Sequence, residues 1–324
     1  MPTVSICIPT IYTPERTSDL ERLMYSLEAQ SFKDFEVIII EGKEYEELKR
    51  ITVKLRKNFS IKVFEQQAKG LANARNEAWM KSNSDICVFI DDDVVVTKYW
   101  LEEIVKVYAN DKNAGGVGGP SLIPRNYLSS RDITTFLLDP QSLFEKVIKN
   151  CYFQVLLEKQ PFAINKFFRS GAYSIGSMTN EIIDEMFHNI EVDFLDACNM
   201  SFRREVIEDV GGFDETYTGL GDYQEPDLSF RVRKKGYKLF FTPKGIVHHF
   251  PKKIASGAVA NKAFERQRNL SRFVRKNIGL SLNFLFYVLF LSAYDVYKAI
   301  TEKDVKWVLG VSGLTSGLLE QLRR

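Results

Sequence analysis

Ile86-Cys87-Val88-Phe89-Ile90 runs directly into Asp91-Asp92-Asp93, and Val94-Val95-Val96 then restores the apolar character. A short run rich in β-branched and aromatic residues reads as a buried strand. Three adjacent carboxylates repel one another and are costly where a buried strand ends, unless a cation neutralises them. Side chains alternate along a strand, so Asp91 and Asp93 are expected on one side and Asp92 on the other. Two hard oxygen ligands at the carboxyl end of a buried strand suit Mg²⁺ or Mn²⁺ carrying a diphosphate. The competing reading is a solvated acidic turn that caps the helix beginning near Tyr99. The apolar runs on both sides weigh against it.

The residues before this stretch alternate between two periods. Val4 to Ile8, Phe35 to Ile40 and Ile61 to Phe64 read as strands, the first two closed by Pro9-Thr10 and Glu41-Gly42. Ser18 and Glu21 have capping-box spacing ahead of Leu20, Leu23, Met24 and Leu27 at helical spacing. Residues 44–57 and 70–80 read as further helices, and Leu101, Ile104, Val105 and Tyr108 share one face of another. Gly115 to Gly119 is a Gly-rich strand or turn. Strands alternating with helices predict an α/β fold with a mostly parallel, Rossmann-like sheet flanked by helices. Ligands bind such sheets beyond the carboxyl ends of the strands. Pro9, Glu41 and Asp91 each stand at such an end, so three segments converge on one crevice. No Gly-x-Gly-x-x-Gly follows the first strand and no Walker-type loop is present, which excludes the dinucleotide and P-loop readings.

Composition narrows the class. The 324 residues suffice for one large domain or two smaller ones, and a net charge of +2 gives no pull toward nucleic acid. Cys7, Cys87, Cys151 and Cys198 are widely spaced, with no metal-ligand or redox-motif pairing, and read as thiols in a reducing compartment. No basic segment followed by a long apolar run opens the chain, so no signal peptide is expected and the predicted location is cytoplasmic.

The order of these features resembles an inverting family 2 glycosyltransferase with the GT-A fold. The likeness rests on Ile8-Pro9-Thr10, Glu41, Gly70-Leu71-Ala72-Asn73-Ala74-Arg75-Asn76 and Asp91-Asp92-Asp93, and covers residues 3–250. It implies a nucleoside diphosphate sugar as donor and a divalent metal, Mg²⁺ or Mn²⁺, bound through an Asp-x-Asp motif. Carried over by position, Asp91 contacts the nucleoside or ribose and Asp93 the metal. Pro9, Thr10 and Asp92 line the same donor site. Glu41 stands where the family has an Asp on the base, and Arg75 where it has a polar residue facing the nucleotide.

Residues 126–192 are irregular and aromatic, with Phe136, Phe144, Tyr152, Phe153, Phe162, Phe167, Phe168 and Tyr173. They read either as core under long loops or as an acceptor-binding insertion. Gln224-Glu225-Pro226-Asp227-Leu228-Ser229-Phe230-Arg231 opens a helix. Proline and acids in a first turn are ordinary helix-start chemistry. The resemblance gives Glu225 the place of the catalytic base and Asp227 a supporting one. Of the neighbours His248 and His249, at most one can face the metal, and the resemblance favours His248.

From Gly257 the character shifts to a basic run, Lys262, Arg266, Arg268, Arg272, Arg275 and Lys276, then two apolar stretches, Leu280–Tyr294 and Val305–Leu319. Neither reaches the roughly 20 residues of a bilayer span. Basic residues beside aromatic-rich apolar helices suit a protein lying on the cytoplasmic face of a membrane, and the other reading is a helical hairpin packing on the catalytic domain or on another subunit in a homodimer. No Gln-x-x-Arg-Trp motif appears, which speaks against a processive synthase. The expected organisation is a catalytic domain over 1–256, with a donor half 1–120 and an acceptor half 121–256, and a helical region 257–324. The expected activity is metal-dependent, inverting transfer to a lipid-linked or surface glycan. A metal-dependent phosphohydrolase or nuclease built on the Asp triplet, and a non-catalytic sugar-nucleotide scaffold, are the competing functions.

Overall fold

The computed structural model describes residues 3–54, 58–124, 143–174, 185–219, 221–251, 262–301 and 303–319, with positions 127, 140 and 183. Phe136 and residues 252–261 lie outside them. The β-branched runs form strands β1 (Val4–Thr10), β2 (Phe35–Glu41), β3 (Ser60–Glu65), β4 (Ile86–Phe89) and β5 (Val94–Val96). Helices α1 (Thr17–Glu28), α2 (Tyr45–Lys54), α3 (Leu71–Lys81) and α4 (Trp100–Asn110) alternate with them. Strands β6 (Ala114–Gly118), β7 (Ser121–Leu122), β8 (Ile190–Glu191) and β9 (Met200–Arg203) follow, interrupted by helix α5 (Leu143–Cys151). After α6 (Arg204–Asp209) and α7 (Gln224–Lys234) come β10 (Lys238–Phe241) and β11 (Val247–His249).

Among the described residues, eight strands form one sheet in the order β3-β2-β1-β4-β9-β6-β10-β8, and β5-β11-β7 form a small second sheet. The pairings from β3 to β4, and that of β6 with β10, are parallel, while β9 runs antiparallel between β4 and β6. Leu23 and Leu27 of α1 and Trp100, Leu101 and Ile104 of α4 close over Ile6, Ile8, Val88 and Val37 as a continuous core. The Gly-rich run is strand β6 and the segment after it. A Cβ on Gly116 would stand 2.8 Å from both Leu239 and Phe202, and one on Gly119 would stand 2.2 Å from the Gly245 carbonyl. The predicted capping box does not form. A 3-10 turn over Pro14–Arg16 leads straight into α1, which leaves Thr17 and Ser18 inside the helix and Arg16 at its cap with no side-chain bond.

The chain divides into two compact units, but not at one cut near residue 257. The first comprises Met1–Pro124, Ser177–Glu215 and Gln224–Pro251, and holds both sheets. The second comprises Arg125–Gly176, Thr216–Tyr223 and Lys252–Arg324. It contains α5 and helices α8 (Ala263–Phe273), α9 (Leu282–Thr301) and α10 (Leu309–Leu319). Several of its described aromatic residues are core. Tyr152, Phe167 and Phe168 are buried, Phe167 meets Phe273 at 4.8 Å, and Tyr152 meets Phe290 at 5.1 Å. Helix α10 lies close against α8 because it offers glycine there. A Cβ on Gly313 would stand 2.2 Å from the Phe264 carbonyl, and one on Gly317 2.3 Å from that of Arg268.

Candidate active site

Strand register assembles the site. β4 ends at Phe89, and the chain turns at Asp92 and Asp93 before entering β5 in the second sheet. β11 pairs antiparallel with β5 so that His249 stands opposite Val94, next to Asp93. The Phe250 N–H also donates to the Asp93 carbonyl at 3.0 Å. His249 Nε2 therefore lies 3.2 Å from Asp93 Oδ1, and one ligand atom from each of Asp91, Asp93 and His249 falls within 4.8 Å of the others. The histidine brought to the acids is His249 and not the expected His248, which stands opposite Val95, one residue further from Asp93. Two carboxylates and an imidazole fit a divalent cation such as Mn²⁺.

Asp91 and Asp93 meet, as the alternation expectation has it, and Asp92 goes elsewhere. Asp92 accepts from the Thr10 hydroxyl and pairs with Arg16, which also shows Thr10 facing the triplet. Burial raises the Asp92 carboxyl to about 6, against the lowering effect of Thr10 and Arg16. Burial also raises Asp91, with Arg75 and His249 opposing and Asp93 and Asp196 adding. At His249 burial works against the charged ring, yet the hydrogen bond to Asp93 and the fields of Asp91, Asp93 and Asp196 outweigh it and raise its pKa.

Glu41 ends β2 beside Thr10, in register with it. It is fully buried, and its carboxylate accepts from the Tyr12 N–H at 2.9 Å and the Lys43 N–H at 2.7 Å. It shapes the turns that follow β1 and β2. Pro9 lies within β1, opposite Ile40.

Helix α3 starts after Gly70, whose φ of 110° favours glycine. The helix carries Arg75 inward to 1% exposure. Arg75 pairs with Glu225 at the start of α7, donates to the Ala197 carbonyl at 3.3 Å, and stands 4.0 Å from Asp91. Its Nε has no partner among the described residues. Asn76 fixes the next turn, accepting from the Phe213 N–H at 2.8 Å and donating to the Phe213 carbonyl at 3.0 Å. Asp227 is fully buried and pairs with Arg231 at 2.8 Å, while Arg231 also donates to the carbonyls of Val210 and Gly212. Asp227 thus ties α7 to the 210–212 turn.

Sequence reasoning passed over Asp196, Cys198 and Gln224. Met200 opposite Phe89 in the antiparallel β4–β9 pair puts residues 196–199 beyond the end of β4, beside the triplet. Only that pairing reveals them, since no local pattern marks the segment. Asp196 accepts from the Cys198 N–H and the Ser121 hydroxyl. Burial pushes the Cys198 thiol well up, with Asp196 and Asp91 adding. Gln224 is fully buried, and neither of its amide atoms has a partner among the described residues.

Four arginines of the basic run find partners within the second unit, while Lys276 stays exposed. Arg266 pairs with Asp222 at 3.4 Å, Arg268 donates to Thr218 Oγ1 at 3.0 Å, and Arg275 donates to the Leu318 carbonyl. Arg272 is buried, with its guanidinium 5.5 Å from the Tyr217 ring centre. Helix α9 is longer than expected, at 20 residues, and is the one described helix long and apolar enough to cross a membrane. The sequence pattern stops at Tyr294 because Asp295 and Lys298 follow, but both side chains are buried. The opposite side exposes Leu282, Leu285, Phe286, Leu289, Val296 and Ile300, a stripe without a charge.

Residues 5–211 match the family "Glycosyl transferase family 2". A glucosyl-dolichyl phosphate glucuronosyltransferase of Haloferax volcanii is 22% identical over 252 residues, which span 76% of this chain and 68% of the relative. The mannosyltransferase PcManGT of Pyrobaculum calidifontis, solved in complex with GDP-Man and Mn²⁺, superposes with a TM-score of 0.54 at 15% identity, over 99% of this chain and 87% of that one. Residues 1–349 of TarS of S. aureus superpose with a TM-score of 0.55 at 14% identity, over 99% of this chain and 82% of that one. The two solved structures share the fold seen here, and with the family match over most of the sheet-bearing unit, the chain belongs to glycosyl transferase family 2.

Proposed function

We propose that this glycosyltransferase moves a sugar from a nucleoside diphosphate donor to a hydroxyl of a lipid-linked glycan, with inversion and with a divalent metal. The observation that carries the reading is the meeting of Asp91, Asp93 and His249, with Arg75 joining Asp91 to Glu225. The three would hold the metal, which when bound neutralises charge on the departing diphosphate. Thr10, Asp92 and Glu41 shape the donor side of the crevice. Glu225 takes the proton of the acceptor hydroxyl as its oxygen bonds to the anomeric carbon. The bond from that carbon to the diphosphate oxygen breaks on the opposite face, and the nucleoside diphosphate leaves with the electron pair. Arg75 holds the Glu225 carboxylate in place before the acceptor arrives. Holding both reactants in line removes much of the entropic cost.

The relatives support the substrate classes. One is named for a dolichyl phosphate-linked acceptor, and another was solved with GDP-Man and Mn²⁺. The apolar stripe of α9 suits a peripheral position on a membrane that carries such an acceptor. The test incubates the full chain with a panel of nucleotide sugars, Mn²⁺ and short polyprenyl-phosphate-linked sugars. The expected products are nucleoside diphosphate and a glycoside of inverted anomeric configuration by NMR. A retained configuration, or release of nucleoside monophosphate, overturns the reading.

A further inference from the structure

Cys198 sits on the far side of His249 from the acids. Its Sγ lies 3.7 Å from His249 Nδ1 and 3.1 Å from Asp196 Oδ1. A thiol has one hydrogen to give. Asp196 Oδ1 is the nearer acceptor and the charged one, and it already receives the Cys198 N–H at 3.1 Å and the Ser121 hydroxyl at 3.2 Å. The thiol hydrogen therefore goes to Asp196, because a carboxylate accepts more strongly than a neutral ring nitrogen. The sulfur then turns its lone pairs toward Nδ1, and Nδ1 can approach them only as an N–H donor. Without a metal Nε2, 3.2 Å from Asp93 Oδ1, donates to that carboxylate; with a metal bound and the ring neutral, a proton held on Nδ1 leaves the Nε2 lone pair for the metal. Metal-binding histidines are commonly oriented by an acceptor on the other ring nitrogen.

We propose that Cys198, anchored by Asp196, is a positioning residue that holds the Nδ1–H of His249 and so presents Nε2 to the metal. The inference rests on the metal reading of Asp91, Asp93 and His249. A neutral thiol sulfur as acceptor suits this place, since a further carboxylate on the ring would add to the negative charge already supplied by Asp91, Asp93 and Asp196.

Two measurements test it. The chain has 3 histidines, so ¹⁵N-histidine labelling of the full protein, with His249→Gln for assignment, reads the ring directly. With Zn²⁺ as a diamagnetic probe, His249 is expected to carry its proton on Nδ1 and to show the metal-induced shift on Nε2. The reverse pattern overturns the proposal. Mn²⁺ affinity, followed by electron paramagnetic resonance, is expected to fall about tenfold or more in Cys198→Ala and to stay within about threefold of wild type in Cys198→Ser, which keeps a donor and an acceptor. Wild-type affinity in folded Cys198→Ala overturns the proposal. Asp93→Asn separates the two readings. If it leaves Mn²⁺ affinity unchanged, the metal site itself fails. If it abolishes binding while Cys198→Ala does not weaken it, only the role of Cys198 fails. Should Cys198→Ala not fold, the wild-type spectrum decides alone.

Discussion

The acidic triplet and the basic run 262–276 are the two charged stretches that the sequence marks as reaching for a partner, and they meet opposite fates. Arg266, Arg268, Arg272 and Arg275 find their partners within their own unit, in Asp222, Thr218, Thr216 and Leu318. Asp92 likewise finds Thr10 and Arg16. Asp91 and Asp93 are left facing His249, with Arg75 4.0 Å away. The difference is one of hydrogen-bond chemistry. A guanidinium only donates, and a folded chain is full of carbonyls that accept at helix ends and turns. A carboxylate only accepts, and at this sheet end the nearby donors serve Glu41 and Asp92, so Asp91 and Asp93 keep their demand for a cation. Charge in a sequence therefore signals a ligand more reliably when it is acidic and stands where a strand ends.

The largest expected effect tests whether Glu225 belongs with the unsatisfied acids or with the structural ones. Glu225→Gln keeps the shape and can still accept from Arg75, but it takes up no proton. Turnover should fall by about two orders of magnitude or more while donor affinity stays near wild type. Steady-state kinetics with donor titration checks this, and near-normal turnover would give Glu225 the same tying role as Asp227.

The next prediction separates apolar from electrostatic attachment in the second unit. With its arginines already engaged by partners in their own unit, attachment to vesicles should come from the α9 stripe. The double variant Phe286→Asp with Leu289→Asp should leave the vesicle pellet, and raising the salt should matter little for the wild-type chain. Release by salt alone would mean that the basic residues turn outward at a membrane.

Arg272→Ala should lower stability by about 2 kcal/mol, through lost packing of its stem and lost bonds to its charged head. Chemical denaturation measures this, and vesicle binding of the folded variant should not change. A variant of normal stability that no longer binds vesicles would reverse the assignment.

The last effect concerns Asp92. Its carboxyl is raised from the ordinary 3.8 to about 6. Between those values the folded chain holds a proton that the unfolded chain has released, so this group's contribution to stability falls as pH rises from about 4 to 6. Asp92→Asn should flatten that slope, by about 2 kcal/mol across the window. Melting temperatures at pH 4, 5 and 6 would show it, and an unchanged slope assigns the pH dependence to other acids.

Much of the first unit was legible because its signals are local. The runs at Val4, Phe35 and Ile86 predict their strands, since they are short, rich in β-branched residues and bounded by turn residues. The parallel order then follows from the intervening helices. The family resemblance singles out Glu225 and Asp93, and the structure places the first against Arg75 and the second against His249. His249 was misplaced by one residue, because the choice between neighbours depends on which strand pairs with β5.

The α/β alternation, the acids at the strand ends and the family likeness are readable along the chain, because each rests on residues close together in it. Strand pairing and packing set the rest: His249 faces Asp93, Arg75 holds Glu225, Cys198 lies against the imidazole, and 216–223 packs with the C-terminal helices. Those outcomes depend on strand register and on long side chains that reach across 50 to 150 positions. Register is set by the sum of core packing over a whole sheet. A slip of one residue turns a side chain to the opposite face, and no local pattern carries that information.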